Sequence, residues 1–150
     1  MGQGDLRKGR ISLARQYYHV TINTERRIRL FTNLGNCQPI ANVLSEMEKE
    51  GLVFNYAWIL MPDHLHWIFK LGEHESLSEV VRRFKGRSSR DIHRDTQHSG
   101  AVWQPAFFDH GIRANEDLRQ IAVYVIQNPV RAGLVEDIGH YPFWNACWLD

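Results

Sequence analysis

The sequence predicts an α+β fold, in which a ferredoxin-like, split βαβ antiparallel sheet carries helices on one face. Three observations support this fold class. Apolar, β-branched runs alternate with runs of helical periodicity in the order strand, helix, strand, strand, helix, strand. The two middle strands are separated only by Met61-Pro62-Asp63, which is typical of a β-hairpin. A further, C-terminal helix follows the last strand and carries Tyr124.

The first half of the chain contains three of the strands and one helix. Tyr17–Asn23 is aromatic and β-branched, which indicates a strand. Residues 38–50 carry apolar side chains at helical spacing and precede Gly51, so we expect a helix that ends there. The apolar runs over residues 53–60 and 64–71 form the two strands of the β-hairpin.

The second half contains two more helices and one strand. Ser76 is placed to cap the second helix, with Glu79 at the reciprocal capping-box position, and we expect this helix to extend to residue 93. Residues 102–113 form the last extended segment. Asn115 is predicted to cap the third helix, which carries two acidic residues in its first turn and ends at Pro129.

Length and composition indicate one soluble globular domain over residues 1–150, with a flexible basic arm over about residues 1–14. Charged residues make up 23% of the chain and hydrophobic residues 43%, which is ordinary for such a domain. We expect no membrane partner, because no apolar run approaches about 18 residues and the N-terminus lacks the apolar part of a signal peptide. Cys37 and Cys147 lack metal-site spacing, so we expect a cytoplasmic protein.

The distribution of charge indicates a polyanionic partner, although the net charge is only +1. Six bases stand against one acid over residues 82–94, and seven against one over residues 7–29. A spacing of three or four places arginines on one side of the second helix, which either contacts phosphates or is an ordinary solvated face. We expect phosphate contacts from Arg83, Lys85, Arg87, Arg90 and Arg94, and from Arg7, Lys8 and Arg10 in the arm.

Two histidines at the start of the third strand are the first candidate for chemistry. Side chains alternate along a strand, so His64 and His66 project from the same face while Leu65 points the other way. Two imidazoles a few ångström apart on a rigid backbone form half of a metal site. Taken alone, this short pattern favours a pair of half-exposed histidines without a ligand.

The C-terminal helix supplies a second candidate pair. Tyr124 and Asn128 are four residues apart and therefore share one helical face. Asn128 precedes Pro129 at the predicted helix end, where its amide oxygen can turn outward as a metal ligand. Taken alone, a core tyrosine and a C-terminal cap explain the two residues better.

Several neighbouring residues are candidates for a supporting role. Asp63 and Asp109 each precede a histidine and are candidates to orient it, although Asp63 is equally well explained as a turn residue. His110 is a candidate for binding metal or phosphate. His19, on the first strand, either faces the same site or is a satisfied core histidine.

The segment from Tyr124 to Val135 resembles the Tyr-x-x-x-Asn-Pro-Val-Arg-Ala-Gly-Leu-Val signature of the REP-associated tyrosine transposases, a branch of the HUH single-tyrosine transposases. Four further segments match this family in the same order and extend the resemblance over most of the chain. They are residues 18–21, 61–66, 84–89 and 108–113.

The resemblance implies an enzyme that cuts and rejoins one DNA strand by transesterification. It implies that His64 and His66 hold Mg²⁺ or Mn²⁺, with Asn128 as the third ligand. Tyr124 is then the nucleophile, which leaves a 5′-phosphotyrosine and a free 3′-hydroxyl. The implied substrate is single-stranded DNA with REP-like hairpins, and the implied assembly is a monomer or a homodimer.

Two other functions are compatible with parts of the pattern. The main alternative is a non-catalytic module on the same fold that only binds DNA hairpins. A missing tyrosine or histidine would have favoured this module, and neither is missing. A small zinc protein is disfavoured, because a third histidine or cysteine at suitable spacing is lacking.

Overall fold

A five-stranded antiparallel sheet forms the centre of the protein in the computed structural model, which describes residues 15–149. The arm predicted over residues 1–14, with Arg7, Lys8 and Arg10, lies outside the described residues. The strands are β1 (Tyr17–Asn23), β2 (Val53–Met61), β3 (His64–Leu71), β4 (Phe108–Ile112) and β5 (Trp144–Ala146). Their order is β4-β1-β3-β2-β5, so a ferredoxin-like arrangement of four strands is extended by β5, and the predicted fold class is confirmed.

Within residues 15–149, four α-helices cover the two faces of the sheet. They are α1 (Leu34–Lys49), α2 (Leu77–Asp95), α3 (Leu118–Ile126) and α4 (Asn128–Arg131). Apolar side chains of α1 and α2 form one core with the face of β3 that carries Leu65 and Trp67. Apolar side chains of α3 form a second core on the other face, which carries Ile68. The sheet therefore separates the two predicted helices of the ferredoxin-like unit from the tyrosine helix.

Three helix ends differ from the prediction because of local capping. The helix α1 begins four residues early, since the Asn33 side chain accepts a hydrogen bond from the Asn36 N–H at 2.9 Å. Asn115 does not cap α3. Asp117 does, by accepting a bond from the Gln120 N–H at 3.0 Å. Pro129 does not end α3 either, because it lies in the first turn of α4, where proline's missing N–H is tolerated.

The segment before β4 is less regular than predicted. Only Phe108–Ile112 is a strand, and Trp103 contributes one isolated bridge to Thr24. The ammonium of Lys85 explains part of this, since it donates to the carbonyl oxygens of residues 104, 105 and 106 at 2.8, 3.1 and 2.9 Å. These three carbonyls therefore accept from a side chain, and residues 104–106 form no strand. The α2 helix thus anchors this loop.

A buried hydrogen bond fixes the same segment to α2, and it provides a test of the core. Ser88 is fully buried, and its hydroxyl donates to the Phe84 carbonyl at 2.7 Å and accepts from the Trp103 indole at 2.9 Å. Ser88→Ala leaves that indole N–H buried without its acceptor, so we expect the free energy of unfolding to fall by about 1–3 kcal/mol. Urea unfolding followed by tryptophan fluorescence measures the loss.

The control for this substitution is Ser45→Ala, at an exposed position on α1. Its effect is expected within about 0.5 kcal/mol. Equal stabilities of the two variants would mean that the Ser88–Trp103 bond contributes nothing.

In the part of the chain that the structure describes, no helix is long and apolar enough to cross a membrane.

Candidate active site

The β2–β3 turn places the two histidines, and a loop after β1 holds this turn in position. The buried Thr24 donates its N–H and its hydroxyl to the Asp63 carbonyl, both at 3.0 Å. The Phe31 N–H donates to the Pro62 carbonyl at 3.0 Å. These bonds satisfy backbone groups that a tight turn leaves unpaired, so the start of β3 is fixed from both sides.

His64 is oriented by a carboxylate that is itself held by an arginine. Its Nδ1 lies 2.7 Å from Asp63 Oδ1, and Arg27 contacts Asp63 Oδ2 through Nε at 3.2 Å and Nη2 at 3.1 Å. A carboxylate only accepts, so Nδ1 carries a proton, and in the neutral imidazole it is Nε2 that keeps a lone pair. Burial acts to raise the pKa of Asp63, but the bonds and charges from His64 and Arg27 outweigh burial and lower it.

His66 lies next to His64 and is supported from β1. The two rings are 4.9 Å apart and nearly perpendicular. His66 Nδ1 is 3.0 Å from His19 Nε2 and 3.2 Å from Thr21 Oγ1. Metal binding through His66 Nε2 requires that Nδ1 carry the proton. His19 Nε2 and Thr21 Oγ1 are both close enough to accept a hydrogen bond from this N–H. Of the two alternatives for His19, the structure therefore shows the one in which it faces the site.

His66 and His19 are both neutral near neutral pH. Burial, reinforced mainly by the charge of His19, lowers the pKa of His66 to about 3. Burial, reinforced by His110, lowers the pKa of His19 to about 4. A neutral imidazole is the form that binds a metal, so no proton has to be displaced from the ring nitrogen that faces a cation.

The helix α3 places the tyrosine over the same face of the sheet. A cleft of about 610 Å³ opens there, with space for a nucleotide-sized group. His66 forms its floor, Tyr124 and Asn128 form one wall, and His64 stands beside His66 outside the lining. The full lining comprises His19, His66, Gln120, Ile121, Tyr124, Val125, Asn128 and Arg131.

The side chains of Tyr124 and Asn128 decide between the alternatives for the C-terminal pair. Tyr124 is 65% exposed, so it is not a core aromatic. The amide nitrogen of Asn128 donates to the Val125 carbonyl at 2.7 Å, so Asn128 does bond the end of α3. This bond uses the amide N–H and leaves Oδ1, the atom suited to a hard cation, as an acceptor.

The structure separates the two residues that were expected to support the site. His110 is on the site face, paired in register with His19, and its Nε2 lies 3.1 Å from both carboxylate oxygens of Glu116. Asp109 pairs in register with Val20, which is buried toward α1 and α2. Directly paired residues share a face, so Asp109 lies on the opposite side of the sheet. This placement argues against a direct supporting role for Asp109.

The basic side of α2 carries less free charge than its sequence indicates. Five acids, from within α2 and from distant segments, pair with five arginines, and Lys85 is occupied by the three carbonyls of the loop before β4. The ion pairs are Arg82–Glu79, Arg83–Glu75, Arg83–Glu79, Arg87–Glu50, Arg90–Asp91, Arg94–Asp91 and Arg94–Asp95. The count of one acid against six bases over residues 82–94 therefore understates the acids near α2, and phosphate contact by this surface stays a prediction.

Two further residues belong to the site but were not selected from the sequence. Arg27 is sequentially distant from His64 and follows β1, so only the folded chain brings them together. Arg131 lies in the Asn-Pro-Val-Arg signature, yet no spacing rule indicated that its guanidinium would lie over the Tyr124 ring, at 3.8 Å from the centroid. Among the described residues, no three His, Cys, Asp or Glu side chains cluster as a metal site. A site here would consist of two imidazoles and one amide oxygen.

The chain is similar to known transposases in sequence. The model of the IS200-like transposase family matches residues 12–128, which include both histidines, Tyr124 and Asn128. A REP-associated tyrosine transposase of Escherichia coli K12 is 29% identical over 127 residues, covering 82% of this chain and 72% of its own. A putative REP-associated tyrosine transposase of Haemophilus influenzae is 28% identical over 94 residues, covering 56% of this chain and 53% of its own.

Solved structures show the same relationship. A REP-associated tyrosine transposase bound to a REP hairpin superposes with a TM-score of 0.75 at 26% identity, covering 90% of this chain and 79% of its own. A putative transposase from Deinococcus radiodurans shares the fold, with a TM-score of 0.56 at 20% identity over 78% of this chain and 93% of its own. The chain therefore belongs to the IS200-like transposase family, and its resemblance to the REP-associated tyrosine transposases is confirmed.

Proposed function

We propose that this transposase cuts and rejoins single-stranded DNA at REP-like hairpins, with Tyr124 as the nucleophile and Mg²⁺ or Mn²⁺ as the cofactor. One observation carries the proposal. An exposed tyrosine shares a cleft with a neutral histidine and an amide oxygen, beside a second histidine whose orientation a carboxylate fixes. A related transposase was solved with a REP hairpin bound, which supports the choice of DNA.

The reaction exchanges one phosphoester for another. The Tyr124 phenolic oxygen forms a bond to the scissile phosphorus, and the bond from phosphorus to the 3′ oxygen breaks. The phenol loses its proton, and the leaving 3′ oxygen gains one, so a 5′-phosphotyrosine and a free 3′-hydroxyl result. The new ester conserves the energy of the old one, and reversal at another DNA end rejoins the strand without ATP.

The residues present fit a divalent cation. His64 Nε2, His66 Nε2 and Asn128 Oδ1 would hold it, and the amide oxygen together with phosphate and water would supply the oxygen ligands that Mg²⁺ and Mn²⁺ prefer. A bound cation would draw charge from the phosphate oxygens and orient the ester. A phenol with an ordinary pKa of about 10 is a weak nucleophile at neutral pH and needs such help.

The proposal is tested by adduct formation on end-labelled single-stranded DNA that carries REP-like hairpins with unpaired flanks. We expect a covalent protein–DNA adduct with Mg²⁺ or Mn²⁺, its loss with EDTA, and a nucleotide-bearing peptide that contains Tyr124 in the mass spectrum. Tight binding of the DNA hairpin without an adduct, across several flanks and both metals, would favour the non-catalytic binding module instead.

Asp63 provides a test of the proposed metal site that does not depend on cleavage. Asp63→Asn removes the charge that holds Arg27 and fixes the His64 tautomer, while an asparagine still suits the turn. We expect the affinity for Mn²⁺, titrated by electron paramagnetic resonance, to fall about 10- to 100-fold. Asp109→Asn, on the opposite face of the sheet, is the matched control and should bind Mn²⁺ as the wild type does. Wild-type affinity of the Asp63 variant would leave Asp63 as a turn residue only.

Phosphate contact by α2 is most directly tested at Arg90. Its side chain is 69% exposed, and its contact with Asp91, at 3.5 Å, is the longest of the α2 ion pairs named above. Arg90→Ala should weaken binding of all DNA hairpin sequences alike. It should also reduce the slope of the logarithm of the binding constant against the logarithm of the salt concentration by about one. Arg82→Ala should leave the slope unchanged, because Arg82 is not among the α2 residues that we expect to contact phosphate. Equal slopes for both variants and the wild type would remove α2 from the DNA-binding surface.

A further inference from the structure

The short helix α4, which follows α3, places Arg131 against Tyr124, the proposed nucleophile. In a continuous helix, residue 131 would lie about 10.5 Å along the axis from residue 124. The helix α3 instead ends at Ile126, and α4 restarts at Asn128 with proline in its first turn. In this arrangement Arg131 Nη1 donates to the Tyr124 carbonyl at 2.7 Å, near the end of α3, where this oxygen also accepts the Gln127 N–H at 3.3 Å.

The guanidinium also covers the tyrosine ring. Its central carbon lies 3.8 Å from the ring centroid of Tyr124, a cation–π contact. The Tyr124 side chain is 65% exposed even with Arg131 in place, so the contact with the guanidinium restricts a ring that packs little against the core. A nucleophile held in one orientation loses less entropy on reaching the geometry of attack.

Arg131 is also the arginine best placed for an anion in the cleft. It lines the cleft together with His66 and Tyr124, and its positive charge contributes to the lowered pKa of His66. Among the described residues, no carboxylate forms an ion pair with it, in contrast to Arg83, Arg87 and Arg94 of α2. Its bond to the Tyr124 carbonyl uses one N–H, and the planar guanidinium fork matches the oxygens of a phosphate.

We infer that Arg131 holds the Tyr124 ring in position for attack and binds the scissile phosphate with the remaining N–H groups of its guanidinium. This inference rests on the proposed cleavage reaction and adds a phosphate-binding group to it. The break between α3 and α4 then has a function, because it brings a positive charge to the one residue that becomes a phosphoester. The charge that develops on the phosphoryl oxygens during transfer is what an arginine stabilises.

The first experiment compares adduct formation by Arg131→Lys and Arg119→Lys. The lysine at 131 keeps the charge but loses the flat contact and the fork, so we expect adduct formation to slow by about tenfold to a hundredfold. Arg119 is the matched control, because its guanidinium also lies over an aromatic ring, that of Trp148 at 4.5 Å, while Arg119 is on α3 and does not line the cleft. Thermal unfolding of both variants verifies that they are folded.

The second experiment measures binding alone and therefore does not require cleavage. In a Tyr124→Phe background, a neutral methylphosphonate replaces each linkage of the unpaired flank in turn. At one linkage we expect the loss of phosphate charge to weaken binding by about tenfold with Arg131 present, and not to weaken it in an Arg131→Gln variant. That coupling assigns the phosphate to the guanidinium.

The outcomes separate this inference from the proposed function. Absence of any adduct with the wild type would contradict the cleavage reaction, while the methylphosphonate series would still test phosphate binding by Arg131. Wild-type adduct rates for Arg131→Lys would overturn the positioning of Tyr124. Methylphosphonate penalties that are the same with and without Arg131, at every linkage, would overturn phosphate binding.

Discussion

Tyr124→Phe is expected to abolish the covalent protein–DNA adduct and to leave DNA hairpin affinity within about twofold of the wild type. The substitution removes one oxygen from a side chain that is 65% exposed, and it keeps the ring that Arg131 covers. Only the atom that would bond to phosphorus is lost. Denaturing gels measure the adduct, and gel-shift titration with the same oligonucleotide measures affinity.

The control is Tyr56→Phe, which removes a hydroxyl from a tyrosine that does not line the cleft. This variant should form the adduct at the wild-type rate. If Tyr124→Phe still produces a nicked strand linked to protein, another residue is the nucleophile. Loss of DNA binding together with the adduct would instead indicate that the phenol serves recognition.

His66→Ala is expected to have the second large effect, on metal binding as well as on cleavage. Its side chain is half-buried, its Nδ1 is held from β1, and its Nε2 is one of the two imidazole nitrogens proposed to hold the cation. We expect Mn²⁺ affinity to fall by about a hundredfold or more and adduct formation to be lost at ordinary Mg²⁺ concentrations. Paramagnetic resonance titration measures the first effect independently of the second.

His74→Ala is the matched control for this variant, because His74 is exposed in the connection between β3 and α2. It should bind Mn²⁺ and form the adduct normally. Unchanged Mn²⁺ affinity in a folded His66→Ala protein would contradict the metal site. A melt followed by circular dichroism shows whether the His66→Ala variant is folded. If it is not, His64→Ala tests the same pair of proposed metal ligands.

Mixing the two inactive variants tests how the site is assembled. In the described residues of one chain, His66, Tyr124 and Asn128 already lie in the same cleft, which supports cleavage by a monomer. A mixture of Tyr124→Phe and His66→Ala should therefore stay inactive. Recovered activity would mean that one chain donates its tyrosine helix to the histidines of a partner chain, as in a homodimer.

The features that the sequence determined are those set by neighbours in the chain. Alternation along β3 placed His64 and His66 on one face, and the structure separates them from the buried Leu65 and Trp67 in that way. The Ser76 cap of α2 also forms, with a bond of 3.1 Å from the Glu79 N–H. The predicted cap of α3, Asn115, was wrong, because Asp117 two residues later is of an equally suitable type and forms the cap.

The features that only the tertiary structure decided join residues far apart in the chain. Glu50 pairs with Arg87 across 37 positions, so the charge counted along α2 was not the charge presented to a partner. Arg27 reaches Asp63, His19 reaches His66, and Lys85 holds the loop before β4, each through contacts that no local spacing encodes. Pairing energies fall off steeply with distance, so which charges are neutralised and which stay available depends on the folded chain.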